Sequence, residues 1–378
     1  MIITNASVYT EDGRFLNRDI YIEKDCFTDC PEKVSDKTAV DGTGCYAIPG
    51  LTDIHFHGCV GYDFCDGTKE AIDAMAAYEA SVGVTNIVPA TMTLGEETLL
   101  NICKTAKNYR EEGIHEKRAR LCGINMEGPF VAASKKGAQN GEYIRKPDMA
   151  MFDKLNEASG NMVKLIAIAP EVEGAMEFIE KKHDKVVISL AHTAADYDTA
   201  VRAFEKGASH VTHLYNAMNP YTHRAPGVVG AAADTRKAEV ELICDGVHIH
   251  PAAVRTTFKI FGDDRIILIS DSMMATGLED GDYSLGGQAV KVVGNLATLK
   301  DGTIAGSATN LMDCLRTAVL QMGIPMESAV KCAAVNPAKS VGIYDRYGSI
   351  TPGKKANVVL LRKENLALKQ VVLEGLLL

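Results

Sequence analysis

Positive charge is in short supply. Lys and Arg number 40 against 49 Asp and Glu in 378 residues, giving a formal net charge of -9 with both signs mixed along the chain. Nucleic acid and anionic membrane surfaces are met by basic faces, so neither is an expected partner, and an anionic substrate must be held by a local cluster. Long apolar runs are missing as well. No stretch approaches the roughly eighteen residues of a membrane span, and the opening MIITNASVYTEDGRF has no basic segment leading into an apolar one. The expectation is a soluble, cytoplasmic protein. Ordered cysteine spacing is the third absence. The ten Cys are scattered, and neither Cys26 and Cys30 nor Cys59 and Cys65 have zinc-ribbon spacing, so they are expected as reduced residues rather than a disulfide framework or a thiolate metal site. What remains, 46% hydrophobic and 24% charged without low-complexity tracts or short repeats, is an ordinary globular composition with room for one large domain and one small one.

The first fifty residues run in short alternating stretches (IITNASVYT, DIYIEKDCFTDC, KTAVDGTGCYAIPG) separated by turn residues, the pattern of a small β unit. After Pro49 apolar strands alternate with helical stretches: TNIVPATM, ARLCGINMEGP, VKLIAIAPE, KVVISLAHT, ASHVTHL, AEVELICDGVHIHP, RIILISDSM and, less clearly, GTIAGSA are spaced by segments such as EAIDAMAAYEASVG and PAAVRTTFKIFG. Such alternation implies parallel strands with crossover helices, since tight hairpins cannot join parallel strands. With LTDIHFHG as the opening strand, the count predicts a (β/α)8 TIM-like barrel. From about Gly348 the chain returns to short alternating strands. The predicted organisation is an N-terminal part of a small β-sandwich domain at 1–49, the barrel at 50–347, and the rest of the small domain at 348–378.

Polar residues fall at the carboxyl ends of these strands: His55 and His57, Glu127, His192, His213, His248 and Asp271. In a barrel those ends share one mouth, where catalytic groups gather. The period of two along a strand puts both imidazoles of HFH on one face, as chelation requires. Glu127 can bridge or complete such a site, while His192 and His213 offer the neutral nitrogens suited to zinc or iron. His210 has the opposite pleat orientation to His213 and is expected to be structural. His115 and His183, at helix ends or loops, carry no role.

The stretch PGLTDIHFHG with a later strand-end aspartate resembles the amidohydrolase superfamily. NMEGPFVAASKKGAQN, AHTAADYDTAVRAFEKGASHVTHLYNAMNPYTHRAPGVVGAA, CDGVHIHPAAVR, LISDSMMATGLEDGDYSLGG and GTIAGSATNLMDCLRTAV together resemble its N-acetylglucosamine-6-phosphate deacetylase family, across nearly the whole chain. The resemblance implies a metal-dependent barrel that removes the acetyl group from a phosphorylated amino sugar, in amino-sugar catabolism and cell-wall recycling. It implies a main metal site of Glu127, His192 and His213, a second one on His55 and His57, and Asp271 as the catalytic acid and base. One or two divalent metals per subunit follow, zinc first, with iron, cobalt or manganese accommodated by the same donors. Glu127 also stands where no lysine is available to be carboxylated, which sets the chain apart from many cyclic-amide hydrolases of the superfamily.

For the phosphate, NAMNPYTHRAPGVVG offers Asn216, the backbone of Ala217 and Arg224, whose guanidinium can engage oxygens as a fork. Taken alone, Arg224 reads as a surface ion-pair residue; the resemblance implies instead that it reaches the neighbouring subunit's site, and hence a homodimer. His248 is placed to bind a sugar hydroxyl or assist an oxyanion. Gln139 occupies a position where the family has a histidine, keeping a hydrogen-bond donor but no charge. The basic SKKGAQN is expected as a solvated loop. Ser307 and Thr309 are a weaker phosphate candidate at a helix start, where Asp313 complements the helix dipole.

Overall fold

The computed structural model describes residues 1–113 and 116–378; His115 lies outside the described residues. Between the ends of the chain, Leu51–Asp53, Val84–Ile87 and Arg120–Leu121 pair in parallel, and Ala90–Thr91, Ile124–Phe130, Val163–Ile168, Val187–Leu190, His210–Val211, Glu239–Ile243 and Ile266–Ile269 form a seven-stranded parallel sheet in chain order. Two of these strands are interrupted, at 88–89 and 122–123. The segments therefore trace the eight staves of a TIM-like barrel, with the first stave tied to the last by Asp271 N donating to His55 O at 2.9 Å.

Helices lie between successive strands because parallel pairing demands a crossover. Their starts are written in the sequence. Thr68, Asp148 and Asp196 each accept from a backbone N–H in the first turn of Lys69–Ser81, Met149–Ala158 and Tyr197–Glu205, as capping residues do. The strand carrying Glu127 is anchored from outside the barrel. Phe130 meets Phe178 edge-on at 5.4 Å between centroids, and Phe178 meets Phe152 at 5.6 Å. All three rings are buried, and each such pair adds about 0.5–1.5 kcal/mol beyond its buried area.

Both chain ends enter one eight-stranded sheet, in the order 376–377, 368–373, 358–362, 45–49, 2–9, 15–23, 26–28, with 39–41 alongside 2–9. Ile3, Val8, Ile22, Ala47, Val358, Leu360 and Val372 pack together in its own core.

One expected strand is not there. The sequence GTIAGSA predicts a parallel stave, but the chain after Asp280 makes an antiparallel insert of Gly281–Leu285, Gln288–Val293 and Leu296–Thr298. Ile304 bridges back to Thr298, and only Ser307 bridges in parallel to Ser272. Gly302 and Gly306, at φ 87° and 65°, turn the chain where a strand would extend it.

Candidate active site

His55 and His57 lie beyond the opening strand, which ends at Asp53, so strand pleating is not what places them together. The segment after the last stave does that work. His57 N donates to Ser272 O at 2.7 Å, and Gly58 N donates to the same oxygen at 3.1 Å. The two imidazoles still meet, with centroids 5.5 Å apart and rings at 76°.

Around Glu127 the predicted residues converge. Its Oε1 is 3.0 Å from His213 Nε2, 3.1 Å from His192 Nε2 and 3.4 Å from His55 Nε2, while its Oε2 is 3.2 Å from His57 Nε2. Asp271 Oδ1 stands 3.4 Å from His57 Nε2 and 3.7 Å from His55 Nε2. Two donor sets result, Glu127 with His192 and His213, and His55 with His57 and Asp271, each with ligand atoms within 4.8 Å of one another. All six residues are buried.

Their electrostatics call for a cation. His192 Nδ1 donates to Lys135 O at 2.9 Å, which turns its Nε2 to within 3.2 Å of His213 Nε2. His55 Nε2 is buried with no hydrogen-bond partner. Burial opposes a charged His57, yet hydrogen bonds to Asp271 and Glu127 and their charges lift its pKa to about 10. Burial likewise opposes an ionised Glu127, and the surrounding histidines hold it well below the usual carboxylate range. Nitrogen and carboxylate donors in this proportion fit a divalent metal, which would take the place of the protons held between them.

Several site residues occupy left-handed backbone: φ is 43° at His192, 27° at His213, 51° at Ala217 and 50° at Asp271. Each such residue costs about 1–3 kcal/mol and persists where its surroundings over-determine it. Here the determinants are visible. Thr193 N donates to Ala217 O, and Asp271 N to His55 O; Glu171 accepts from Ala194 N at 2.6 Å and from Thr193 Oγ1. Next to Glu127, Gly128 has φ 100°, and a Cβ there would sit 2.0 Å from Thr93 Oγ1.

A cavity of about 300 Å³ opens over the two sets, lined among others by Gly137, Gln139, Asn216, Ala217, His248 and Ile304. SKKGAQN is therefore more than a solvated loop, since its Gly137–Gln139 end forms a wall. Its Gln139 is buried, donating from Nε2 to Glu127 Oε2 at 2.6 Å and accepting from Thr93 N at 2.7 Å. Half-buried His248 donates from Nδ1 to Asp245 Oδ2 at 2.7 Å. Arg224 is exposed on the loop beyond Asn219 and does not line this cavity. Ser307 and Thr309 are buried with their hydroxyls 2.7 Å apart, closed to a phosphate; Asp313 does lie in the first turn of Leu311–Leu320.

Residues 46–377 match the model of the amidohydrolase family. The chain belongs to the amidohydrolase family. Among curated members it is 36% identical over 368 residues to N-acetylglucosamine-6-phosphate deacetylase of Bacillus subtilis (strain 168), spanning 96% of this chain and 90% of that one. It is 34% identical over 328 residues to N-acetylgalactosamine-6-phosphate deacetylase of Escherichia coli O157:H7, 86% of each chain. In structure it is similar to a mutant N-acetyl-D-glucosamine-6-phosphate deacetylase from Mycobacterium smegmatis in complex with N-acetyl-D-glucosamine-6-phosphate, at TM-score 0.92 and 31% identity, over 100% of this chain and 98% of that one. This amidohydrolase also carries groups that the sequence reading passed over: Glu241, Asp245, Glu171 and Thr93. Glu241 left one signal, a carboxylate in the interior of the strand EVELI, flanked on both sides by apolar residues.

Proposed function

We propose that this amidohydrolase removes the acetyl group from N-acetyl-D-glucosamine 6-phosphate, releasing D-glucosamine 6-phosphate and acetate. The observation that carries the reading is the pair of nitrogen–carboxylate donor sets, one of them including Asp271, at the floor of a cavity large enough for one sugar. Glu127, His192 and His213 would hold one divalent metal, and His55 and His57 a second, with Glu127 between them. Zinc is the first assignment, and iron, cobalt or manganese suit the same donors. A metal bound there polarises the acetyl carbonyl and lowers the pKa of water.

The protein's own groups do the rest. Asp271 takes a proton from the water that adds to the acetyl carbon and passes it to the nitrogen as the C–N bond breaks, leaving a neutral amine and acetic acid that ionises. His248, oriented by Asp245, directs its Nε2 edge to a sugar hydroxyl or the developing oxyanion. Asn216 and the backbone of Ala217 border the phosphate end, whereas Gln139 serves the metal end, through its hydrogen bond to Glu127. Arg224, exposed and outside its own chain's cavity, is assigned to the partner's phosphate in a homodimer. Ten free thiols suit a reducing compartment, and the cytoplasm is part of the proposal.

Acetate release from purified, metal-loaded protein tests this reading, with N-acetylglucosamine 6-phosphate run beside its galactosamine epimer and the unphosphorylated sugar. Turnover of the first alone is the expected result. Preference for the epimer would move the assignment to the galactosamine enzyme, and release from none would refute it.

A further inference from the structure

Beneath the two donor sets lies a carboxylate that no step above uses. Glu241, in the middle of Glu239–Ile243, has no exposed surface. Its Oε2 accepts from His55 Nδ1 at 2.9 Å and from the backbone N–H of His213 at 3.0 Å, and its Oε1 accepts from His210 Nε2 at 3.1 Å. His55 belongs to one donor set and His213 to the other. A single oxygen therefore ties one member of each.

We infer that Glu241 is the positioning residue shared by both metal sites, with His210 as its buried partner. Building on the reading of the mouth as a metal centre, it adds a residue that touches neither metal nor substrate. For His55 the effect is on the tautomer. A carboxylate only accepts, so Nδ1 carries the hydrogen, and Nε2 is left as the ligand atom, facing Glu127 and Asp271. An imidazole free to turn or to change tautomer would lose that aim, and carboxylate partners of this kind raise metal affinity by fixing the ligand. For His213 the effect is on the backbone. At φ 27° the residue sits in a sparsely populated conformation, and the bond from its N–H to Glu241 holds it there, with Nε2 against Glu127. His210 answers the buried charge. With its Nε2–H on Oε1, the carboxylate has donors on both oxygens, the condition for burying such a group at tolerable cost.

The test compares wild type with Glu241→Gln, which keeps size while turning one oxygen into an N–H donor. Competition of Zn²⁺ between each protein and a chromophoric chelator reads affinity directly, and the visible spectrum of the Co²⁺-loaded proteins reads the ligand geometry. We expect the variant to bind Zn²⁺ about 10–100-fold more weakly, with an altered Co²⁺ spectrum and unchanged secondary structure. Equal affinity and an identical spectrum would overturn the role of Glu241. Failure of both proteins to bind either ion would overturn the metal centre itself, and this inference with it. Should the variant not fold, wild-type protein carrying ¹⁵N-histidine and Zn²⁺ decides. His55, assigned by its absence in His55→Gln, must show a protonated Nδ1 and a metal-bound Nε2, and the reverse arrangement would refute the inference.

Discussion

Gln139 holds Glu127 by the oxygen that faces His57. Its Nε2 donates to Glu127 Oε2 at 2.6 Å, and because Thr93 N occupies Oε1 at 2.7 Å, the amide has only one orientation that satisfies both contacts. A histidine's charge is absent here, yet the hydrogen bond survives. Gln139→Glu would set two acceptors against each other at that distance, and we expect kcat/KM and metal affinity each to fall about 10–100-fold. Acetate-release kinetics with metal analysis measures this, and full activity in the variant would show that Glu127 needs no such hold.

Asp271 faces both histidines of the HFH pair and opens onto the cavity. Asp271→Asn keeps the shape but cannot take a proton, so turnover should drop by about 10²–10⁴-fold while substrate still binds. Single-turnover acetate release and calorimetric titration with N-acetylglucosamine 6-phosphate separate the two effects. Near-normal turnover would eliminate the proton-transfer role.

If Arg224 serves the partner's site, two impaired proteins should rescue each other. Arg224→Ala alone should raise KM for the phosphorylated sugar. Mixed with Asp271→Asn protein under conditions that exchange subunits, it should form hybrids in which one site has both Asp271 and the neighbour's Arg224. Activity at low substrate should then exceed the sum of the separate proteins. Simple addition would place the phosphate contact within one chain.

Glu79 gives the stability of the protein a pH dependence of its own. It is fully buried on the helix Lys69–Ser81, and burial together with the charge of Asp53 pushes its carboxyl well above the ordinary 4.5. The folded state keeps a proton that the unfolded chain releases above pH 4.5. Stability from this group is therefore complete below that pH and declines by about 1.4 kcal/mol per unit as pH rises, until the folded carboxyl ionises. Glu79→Gln removes the slope. Urea titrations at pH 5 and pH 8 should show a larger gain for the variant at pH 8, whereas a pH-independent difference would mean that Glu79 is already ionised in the fold.

Much of the site could be located from order along the chain. Strand ends of a parallel barrel must face one mouth, so the sequence alone groups Glu127, His192, His213 and Asp271. His55 and His57 meet for a reason other than strand pleating. Alternation along a strand does not reach them, since the strand stops at Asp53, and backbone hydrogen bonds more than two hundred residues along the chain, His55 O with Asp271 N and His57 N with Ser272 O, put them in place. No local pattern encodes such a bond. Glu241 escaped for a related cause: a carboxylate in a strand looks like a solvent-facing residue unless both faces are known to be covered.

The sequence by itself determined the alternation that demands a parallel barrel, the helix starts at Thr68, Asp148 and Asp196, and the residue types able to hold a metal, because these rest on local propensity and period. Only the tertiary structure decided which oxygen of Glu127 meets which imidazole, that Gln139 is spent on Glu127, that Ser307 and Thr309 are closed off, and that Arg224 lies outside its own cavity. Those outcomes depend on distances of a few tenths of an ångström between segments far apart in the chain, and such distances are set by how the whole barrel closes.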